Sequence, residues 1–212
     1  MPAETPFRIA LAVVIALTAS VALTFRLRAA QSGEPISRRQ EGYLFATILR
    51  LAGLGLWIST LAYLIAPAFV AWAQFPIPVP VRWLGVVSGL PCAALTYWTL
   101  RSLGPNLTDT VVTRQNATLV THGPYGWVRH PFYVSAALVM ASVTLLTANA
   151  LIAVSSVLVL TLLAIRTPLE EQMLIERFGP EYRNYMQRTG RFIPRFGKQP
   201  DPASSDAPNV TD

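Results

Sequence analysis

The sequence predicts an all-α integral membrane protein with about five transmembrane helices. Of its residues, 52% are hydrophobic and only 13% are charged, whereas soluble proteins average about 25% charged residues. The mean hydropathy is +0.42, and five apolar stretches come close to or exceed the length needed to cross a bilayer. The net charge is +6. Because the arginines flank the apolar stretches, they favour contact with membrane lipids over binding to nucleic acid.

The predicted spans, in chain order, are 9–25, 44–73, 81–100, 131–147 and 150–165. Only Ala148 and Asn149 separate the last two spans, which should therefore pair as a tight antiparallel helical hairpin. The basic residues are concentrated after spans one, three and five, and the linkers 74–80 and 148–149 carry none. The positive-inside rule then predicts an external N-terminus and a cytoplasmic C-terminus.

The segment after the fifth span should form helices at the membrane surface. Thr167, Pro168 and Glu170 have the order of an N-cap, a first helical position and a capping-box acid, so a new helix should begin there. Gly179 and Pro180 should divide the segment into two short amphipathic helices. This organisation predicts a three-span region over 1–100, a core over 101–196 and a disordered, Pro- and Ser-rich tail over 197–212.

Two polar segments lie at the predicted cytoplasmic ends of the last two spans. The first, HGPYGWVRHPFY over residues 122–133, combines prolines that fix the backbone with glycines that permit turns, which predicts a shaped loop. The second, RTPLEE, covers residues 166–171. Each has an ordinary structural explanation, as interfacial aromatic residues or as a helix cap. The hairpin, however, should bring His130 and Arg166 to adjacent helix ends.

Such a convergence would place an imidazole, a guanidinium, two carboxylates and aromatic rings at the bilayer edge. Carboxylates can hold hydroxyls or an ammonium, aromatic rings can face a cation, and arginine can orient an anion through two hydrogen bonds. A polar cofactor from the cytosol and a lipid substrate from the membrane would both reach this position. No phosphate-binding or dinucleotide glycine motif is present, and the two histidines form no ligand motif, so no metal site is predicted.

The stretch LVTHGPYGWVRHPFY, residues 119–133, is followed by the hairpin and by RTPLEEQMLIERFGPEYRNYMQRTGRFIPRF, residues 166–196. Together they resemble the isoprenylcysteine carboxyl methyltransferase family, and the related phospholipid N-methyltransferases look similar. The resemblance covers roughly 101–196. It implies that the core binds S-adenosylmethionine as the methyl donor and that the acceptor is a lipophilic small molecule or a lipid.

The resemblance also implies site residues. Those implied for the donor are Ala117, Thr118, Leu119, Val120, Tyr125, His130, Pro131, Phe132, Tyr133, Glu170 and Glu171. Arg166 falls where the family has an arginine that helps to hold the carboxylate that accepts the methyl group. Ala117 departs from the family, which often has a polar residue there, so only its backbone is implied.

Four functions remain open at this level. The resemblance favours O-methylation of an isoprenylcysteine-like or other small lipophilic carboxylate. N-methylation of a phospholipid or amine would require a base such as His130 or Glu171, because the amine must lose a proton. A membrane reductase of the sterol type, using NADPH, and a non-catalytic membrane scaffold are the other two.

Overall fold

The computed structural model describes residues 4–30, 43–104 and 118–195, and all regular elements within these ranges are helical. The α-helices are α1 (Thr5–Ala30), α2 (Tyr43–Ile65), α3 (Val79–Leu103), α4 (Pro131–Thr147), α5 (Ala150–Phe178) and α6 (Pro180–Arg188). Two 3-10 helices cover Pro67–Ala73 and Gly123–Gly126. The predicted all-α class is confirmed, whereas Ala117 and the predicted disordered tail lie outside the described residues.

Four of the described helices are long and apolar enough to cross a membrane: α1, through Thr5–Phe25, and α2, α3 and α5. The chain is a multi-pass membrane protein. The helix at the remaining predicted span, α4, is apolar but has only 17 residues. It nevertheless packs along both α3 and α5, so it belongs to the same helical bundle.

The predicted second span, 44–73, is wrong only over its last part, residues 66–73, because α2 ends at Ile65. Pro67 is responsible, since a proline disfavours helical geometry in the residue before it and supplies no amide hydrogen. Ala66 accordingly leaves the helical region, with φ of −133° and ψ of 65°, and a 3-10 helix follows.

The hairpin between α4 and α5 is confirmed, and both helices begin at the predicted residues. Ala148 turns the chain in a left-handed conformation, with φ of 47°. The Asn149 side chain then caps α5 by accepting hydrogen bonds from the amides of Leu151 and Ile152. Its own amide group donates to the Val70 carbonyl over 2.9 Å, which ties the turn to the 3-10 helix after α2.

The predicted helix start at Thr167 and Pro168 is also wrong, because α5 continues through both residues to Phe178. The Thr167 hydroxyl does not cap a helix but donates to the Leu163 carbonyl one turn earlier, over 2.9 Å. This bond is typical of a threonine inside a helix. The predicted division at Gly179 and Pro180 does exist, and Gly179 has a φ of 54° that favours glycine. Up to residue 195, where the description of the tail ends, α6 is therefore the one separate helix after α5.

Helices α3 and α4 approach each other closely at Gly85. A Cβ atom on Gly85 would lie 2.6 Å from the Ser142 carbonyl oxygen and 2.7 Å from the Leu146 backbone nitrogen. Neither backbone atom can move without shifting α4. The absence of a side chain at Gly85 thus sets the spacing between the two helices, one of which begins at the polar loop.

We predict that Gly85→Ala destabilises the protein by about 1–3 kcal/mol, because the added methyl group forces α3 away from α4. Gly55→Ala is the matched control in α2, since a Cβ atom there meets nothing within 4 Å. Alanine is the better helix former, so the control should unfold at the same or a higher temperature. Thermal unfolding of both variants in one detergent checks this, and equal melting temperatures would contradict it.

A buried polar cluster closes the end of the bundle opposite the polar loop. Arg82 donates to both Glu4 carboxylate oxygens, over 2.8 and 2.7 Å, and to the Leu146 carbonyl near the end of α4. The Tyr63 hydroxyl donates to the same carboxylate over 2.6 Å. The hydrogen bonds from Arg82 hold the pKa of the Glu4 carboxyl below its ordinary value, so Glu4 stays charged and joins α1 to α2, α3 and α4.

Candidate functional site

The polar loop before α4 meets the acidic part of α5, as the hairpin predicted. His130 immediately precedes α4 and is buried. Its Nε2 atom lies 3.3 Å from Oε1 of Glu171, and its Nδ1 atom lies 4.0 Å from Oε1 of Glu170. One imidazole therefore lies between two neighbouring carboxylates of α5.

Glu171 is held by three basic side chains. Its Oε1 atom accepts a hydrogen bond from Nε of Arg129 over 2.8 Å and faces His130, while its Oε2 atom accepts one from Arg191. Only 3% of the Glu171 side chain is exposed. A buried carboxylate is tolerated when it is paired and hydrogen-bonded in this way. We call Arg129, His130, Glu171 and Arg191 the Glu171 cluster.

Glu170 has a different environment. The Tyr133 hydroxyl donates to its Oε2 atom over 2.6 Å, and 26% of the Glu170 side chain is exposed. Successive residues of a helix point about 100° apart, which explains why one glutamate is enclosed by the cluster and the next remains accessible. Of the two, Glu170 is the carboxylate that can contact a ligand.

Aromatic rings surround the imidazole. The Tyr133 ring stacks on His130 with centroids 5.5 Å apart, and the Phe192 ring lies 5.8 Å from His130 on a tilted plane. The Tyr185 hydroxyl donates to the Tyr125 carbonyl over 2.6 Å. Burial raises the pKa of both Tyr125 and Tyr185 above the ordinary value, so both hydroxyls stay neutral at physiological pH.

The chain after α6 runs back across the loop, and we call residues 189–193 the strap. Gly190 and Val128 form a parallel β-bridge. The Arg129 amide donates to the Gly190 carbonyl over 2.8 Å, and the His130 amide donates to the Arg191 carbonyl over 3.2 Å. The Arg129 guanidinium also donates to the Thr189 carbonyl. Backbone and side chains thus fix the strap to the residues that precede α4.

The structure brings several of the predicted site residues together. Those at the start of α4 or on the facing part of α5 are His130, Pro131, Phe132, Tyr133, Glu170 and Glu171. Tyr125 lies in the adjoining 3-10 helix. Arg166 is one helical turn before Glu170, in the interior of α5 rather than at a helix end as predicted. Thr118, Leu119 and Val120 form a non-helical segment ahead of that loop.

Arg129 and Arg191 belong to the site but are not among the site residues predicted from the sequence. Arg129 is one of the arginines that flank the apolar stretches, yet only 9% of its side chain is exposed. Arg191 lies in the strap, whose position depends on the turn after α6. The sequence did contain one indication for Arg129. It directly precedes His130 and Pro131, and the fixed backbone of the proline limits where the neighbouring charged side chain can lie.

The described residues contain no group of three or more His, Cys, Asp or Glu side chains that could hold a metal ion. The groups gathered here are instead the partly exposed Glu170 carboxylate, several aromatic rings and tyrosine hydroxyls, and Arg166 one turn earlier on the same helix. A carboxylate beside aromatic faces suits an organic cation that also carries hydroxyl groups.

The model of the isoprenylcysteine carboxyl methyltransferase (ICMT) family matches residues 85–176. Cobalt-zinc-cadmium resistance protein CzcN of Cupriavidus metallidurans is 40% identical over 88 residues, covering 39% of this chain and 38% of that protein. Protein-S-isoprenylcysteine O-methyltransferase of Tribolium castaneum is 29% identical over 132 residues, covering 59% and 47%. The chain thus spans less than half the length of these relatives.

A solved structure, that of the eukaryotic intramembrane Ras methyltransferase ICMT, superimposes with a TM-score of 0.52 at 25% identity. The superposition covers 68% of this chain and 51% of that one. The family match includes the polar loop, the α4–α5 hairpin and both glutamates. The resemblance of this chain to the ICMT family, first recognised in its sequence, is therefore confirmed.

Proposed function

We propose that this chain is an integral membrane methyltransferase that uses S-adenosylmethionine and acts on the carboxylate of a lipophilic molecule. The observation that carries the proposal is that the Glu170 and Glu171 side chains have different environments. The Glu171 carboxylate is buried and paired with basic side chains of the protein, whereas the Glu170 carboxylate remains partly exposed beside Tyr133 and His130. The family match over the same residues supports the proposal.

The residues present fit the donor. S-adenosylmethionine supplies a methyl group activated by a sulfonium cation, and it also carries ribose hydroxyls, an adenine ring and an amino acid group. The Glu170 carboxylate can accept hydrogen bonds from hydroxyl or ammonium groups, and the neighbouring rings offer faces to a cation or a base. The donor site we propose consists of Ala117, Thr118, Leu119, Val120, Tyr125, His130, Pro131, Phe132, Tyr133 and Glu170, with Glu171 supporting it through His130.

Arg166 is the residue we propose for the acceptor. It lies one turn from Glu170 on α5 and is partly buried. A guanidinium can orient a carboxylate through two hydrogen bonds. A carboxylate is already ionised at neutral pH, so the chain need not remove a proton from it. The work of the protein is then alignment and the exclusion of water, and alignment alone can supply about 7–11 kcal/mol.

The acceptor class we propose is an isoprenylcysteine-like or other small lipophilic carboxylate. The Tribolium castaneum relative is named for isoprenylcysteine, which supports a prenylated acceptor. The name of the relative from Cupriavidus metallidurans refers to metal resistance and specifies no acceptor. Amine methylation would in addition require a base, for which His130, in contact with Glu171 over 3.3 Å, is the candidate.

The decisive experiment compares thermal unfolding of the purified protein with S-adenosylmethionine and with NADPH. A ligand at 100 times its Kd stabilises the folded state by about 2.7 kcal/mol. We expect protection by S-adenosylmethionine alone. Protection by NADPH alone would support a reductase, and protection by neither would support a scaffold. Transfer of a labelled methyl group to membrane lipids, resolved into acids and amines, then identifies the acceptor.

We predict that Glu170→Gln raises the Kd for S-adenosylmethionine by about 10- to 100-fold, because the neutral amide loses charge-assisted hydrogen bonds. Glu176→Gln is the matched control, an exposed position further along α5. Titration calorimetry in detergent measures both. If the two variants bind the donor alike, Glu170 does not contact it.

We also propose that the site faces the cytosol and that the N-terminus is external. The site end of the bundle carries the basic side chains of α6 and the strap, namely Arg183, Arg188 and Arg191, which accords with the positive-inside rule. A cysteine introduced at Arg188 should react with a membrane-impermeant thiol reagent only after cells are permeabilised. Labelling in intact cells would reverse the orientation.

A further inference from the structure

The strap is attached to the part of the loop that holds the imidazole. Two backbone amides, those of Arg129 and His130, donate to strap carbonyls over 2.8 and 3.2 Å. A Cβ atom on Gly190 would collide with the Ile193 carbonyl oxygen, so the turn within the strap requires glycine. The backbone just before α4 is therefore held by a segment about 60 residues away in the chain.

Two strap side chains act on the same imidazole. Phe192 of the strap packs against the His130 ring, and Tyr133 of α4 stacks on the same ring. Arg191 binds Oε2 of Glu171, which leaves Oε1 to Arg129 and His130. With Arg191 absent, Oε2 would lose its charged partner, and the carboxylate would be free to rotate away from His130.

We propose that the strap forms part of the donor site and that Arg191 is a positioning residue, which fixes His130 through Glu171. This inference rests on the proposed function and adds to it the residues that hold the site in its binding geometry. Arg191 does not need to contact the donor. Its effect reaches the donor through His130, because His130 contacts both Tyr133 and Glu170, and Tyr133 and Glu170 contact each other.

The exposure of Arg191 makes it a suitable residue to change. Its side chain is 43% exposed, whereas Glu171 and Arg129 are enclosed, so replacing Arg191 leaves no cavity. Arg191→Lys retains the charge, and Arg191→Ala removes it. Arg183→Ala removes the same charge from an exposed position of α6, which controls for attraction to anionic lipids.

The test is steady-state methyl transfer from S-adenosylmethionine to the acceptor identified in membranes. We expect Arg191→Ala to raise the donor KM about tenfold, Arg191→Lys to recover most of the loss and Arg183→Ala to behave as wild type. A residue needed only for folding would lower kcat, through a smaller active fraction, and leave KM unchanged. An unchanged KM in Arg191→Ala therefore overturns the inference.

Wild-type protein gives a second test that depends on no variant. Coupling between two events is reciprocal, so a strap that strengthens donor binding must itself be held more firmly when the donor is bound. Trypsin cleavage after Arg191 should become slower by a similar factor in saturating S-adenosylmethionine. Equal cleavage rates, in protein that calorimetry shows to bind the donor, overturn the inference. Absence of donor binding to wild type would instead reject the proposed function.

Discussion

Replacing Glu171 with alanine should lower the free energy of unfolding by about 3–5 kcal/mol, because it breaks a buried ion cluster by removing the shared acid. Arg129, of which only 9% of the side chain is exposed, would then be a buried cation without its carboxylate. The imidazole of His130 would lose the same partner. The loop and the strap should separate, and donor binding should be lost together with stability.

Denaturant-induced unfolding in one detergent measures this change. Glu176→Ala is the matched control, since it removes an exposed carboxylate from α5 whose contact is the amide of Gln172. The control should stay within about 0.5 kcal/mol of wild type, as surface substitutions usually do. A Glu171→Ala protein as stable as the control would show that the cluster contributes little to the fold.

Replacing Arg166 with alanine should lower kcat by about 10²- to 10³-fold while the Kd for S-adenosylmethionine stays near that of wild type. Losing one preorganised group that orients the reacting partner has effects of this size. Donor binding should persist because Glu170 and Tyr133, which we assign to the donor, keep their hydrogen bond. Single-turnover methyl transfer together with donor titration separates the two quantities.

Arg177→Ala is the control for this experiment, because Arg177 lies on the same helix three turns further on and is exposed. It should transfer methyl groups at the wild-type rate. Normal turnover in Arg166→Ala would remove Arg166 from the acceptor site. Loss of donor binding in the same variant would move Arg166 to the donor side of the site.

The elements that local chemistry specifies could be predicted from the sequence. Pro131 starts α4 and Asn149 caps α5, so both ends of the hairpin follow from the residues at those positions. The junction of His130 with the two glutamates follows from the hairpin, because two helices joined by two residues must lie side by side. Helical periodicity predicts that the two glutamates point in different directions. It does not predict which of them is buried, because that depends on the side chains that pack around each.

The remaining features depend on contacts between distant segments. Thr167 and Pro168 have the order of a helix start, but Thr167 is buried in the interior of a helix that begins at Ala150. A single proline does not end a transmembrane helix when neighbouring groups satisfy its backbone. The strap could not be predicted either, because the position of Arg191 depends on the glycine turn after α6 and on a bridge to Val128.

The shortness of α4 has a consequence for how the protein sits in lipid. A helix of 17 residues rises about 26 Å, which is less than the roughly 30 Å thickness of the hydrocarbon layer. A bilayer crossed by α4 would have to become thinner beside it, or the ends of α4 would have to lie within the hydrocarbon layer. If α4 crosses the bilayer, His130 at its start would lie near the depth where the acyl chains begin, within reach of the polar end of an amphiphile that stays in the leaflet.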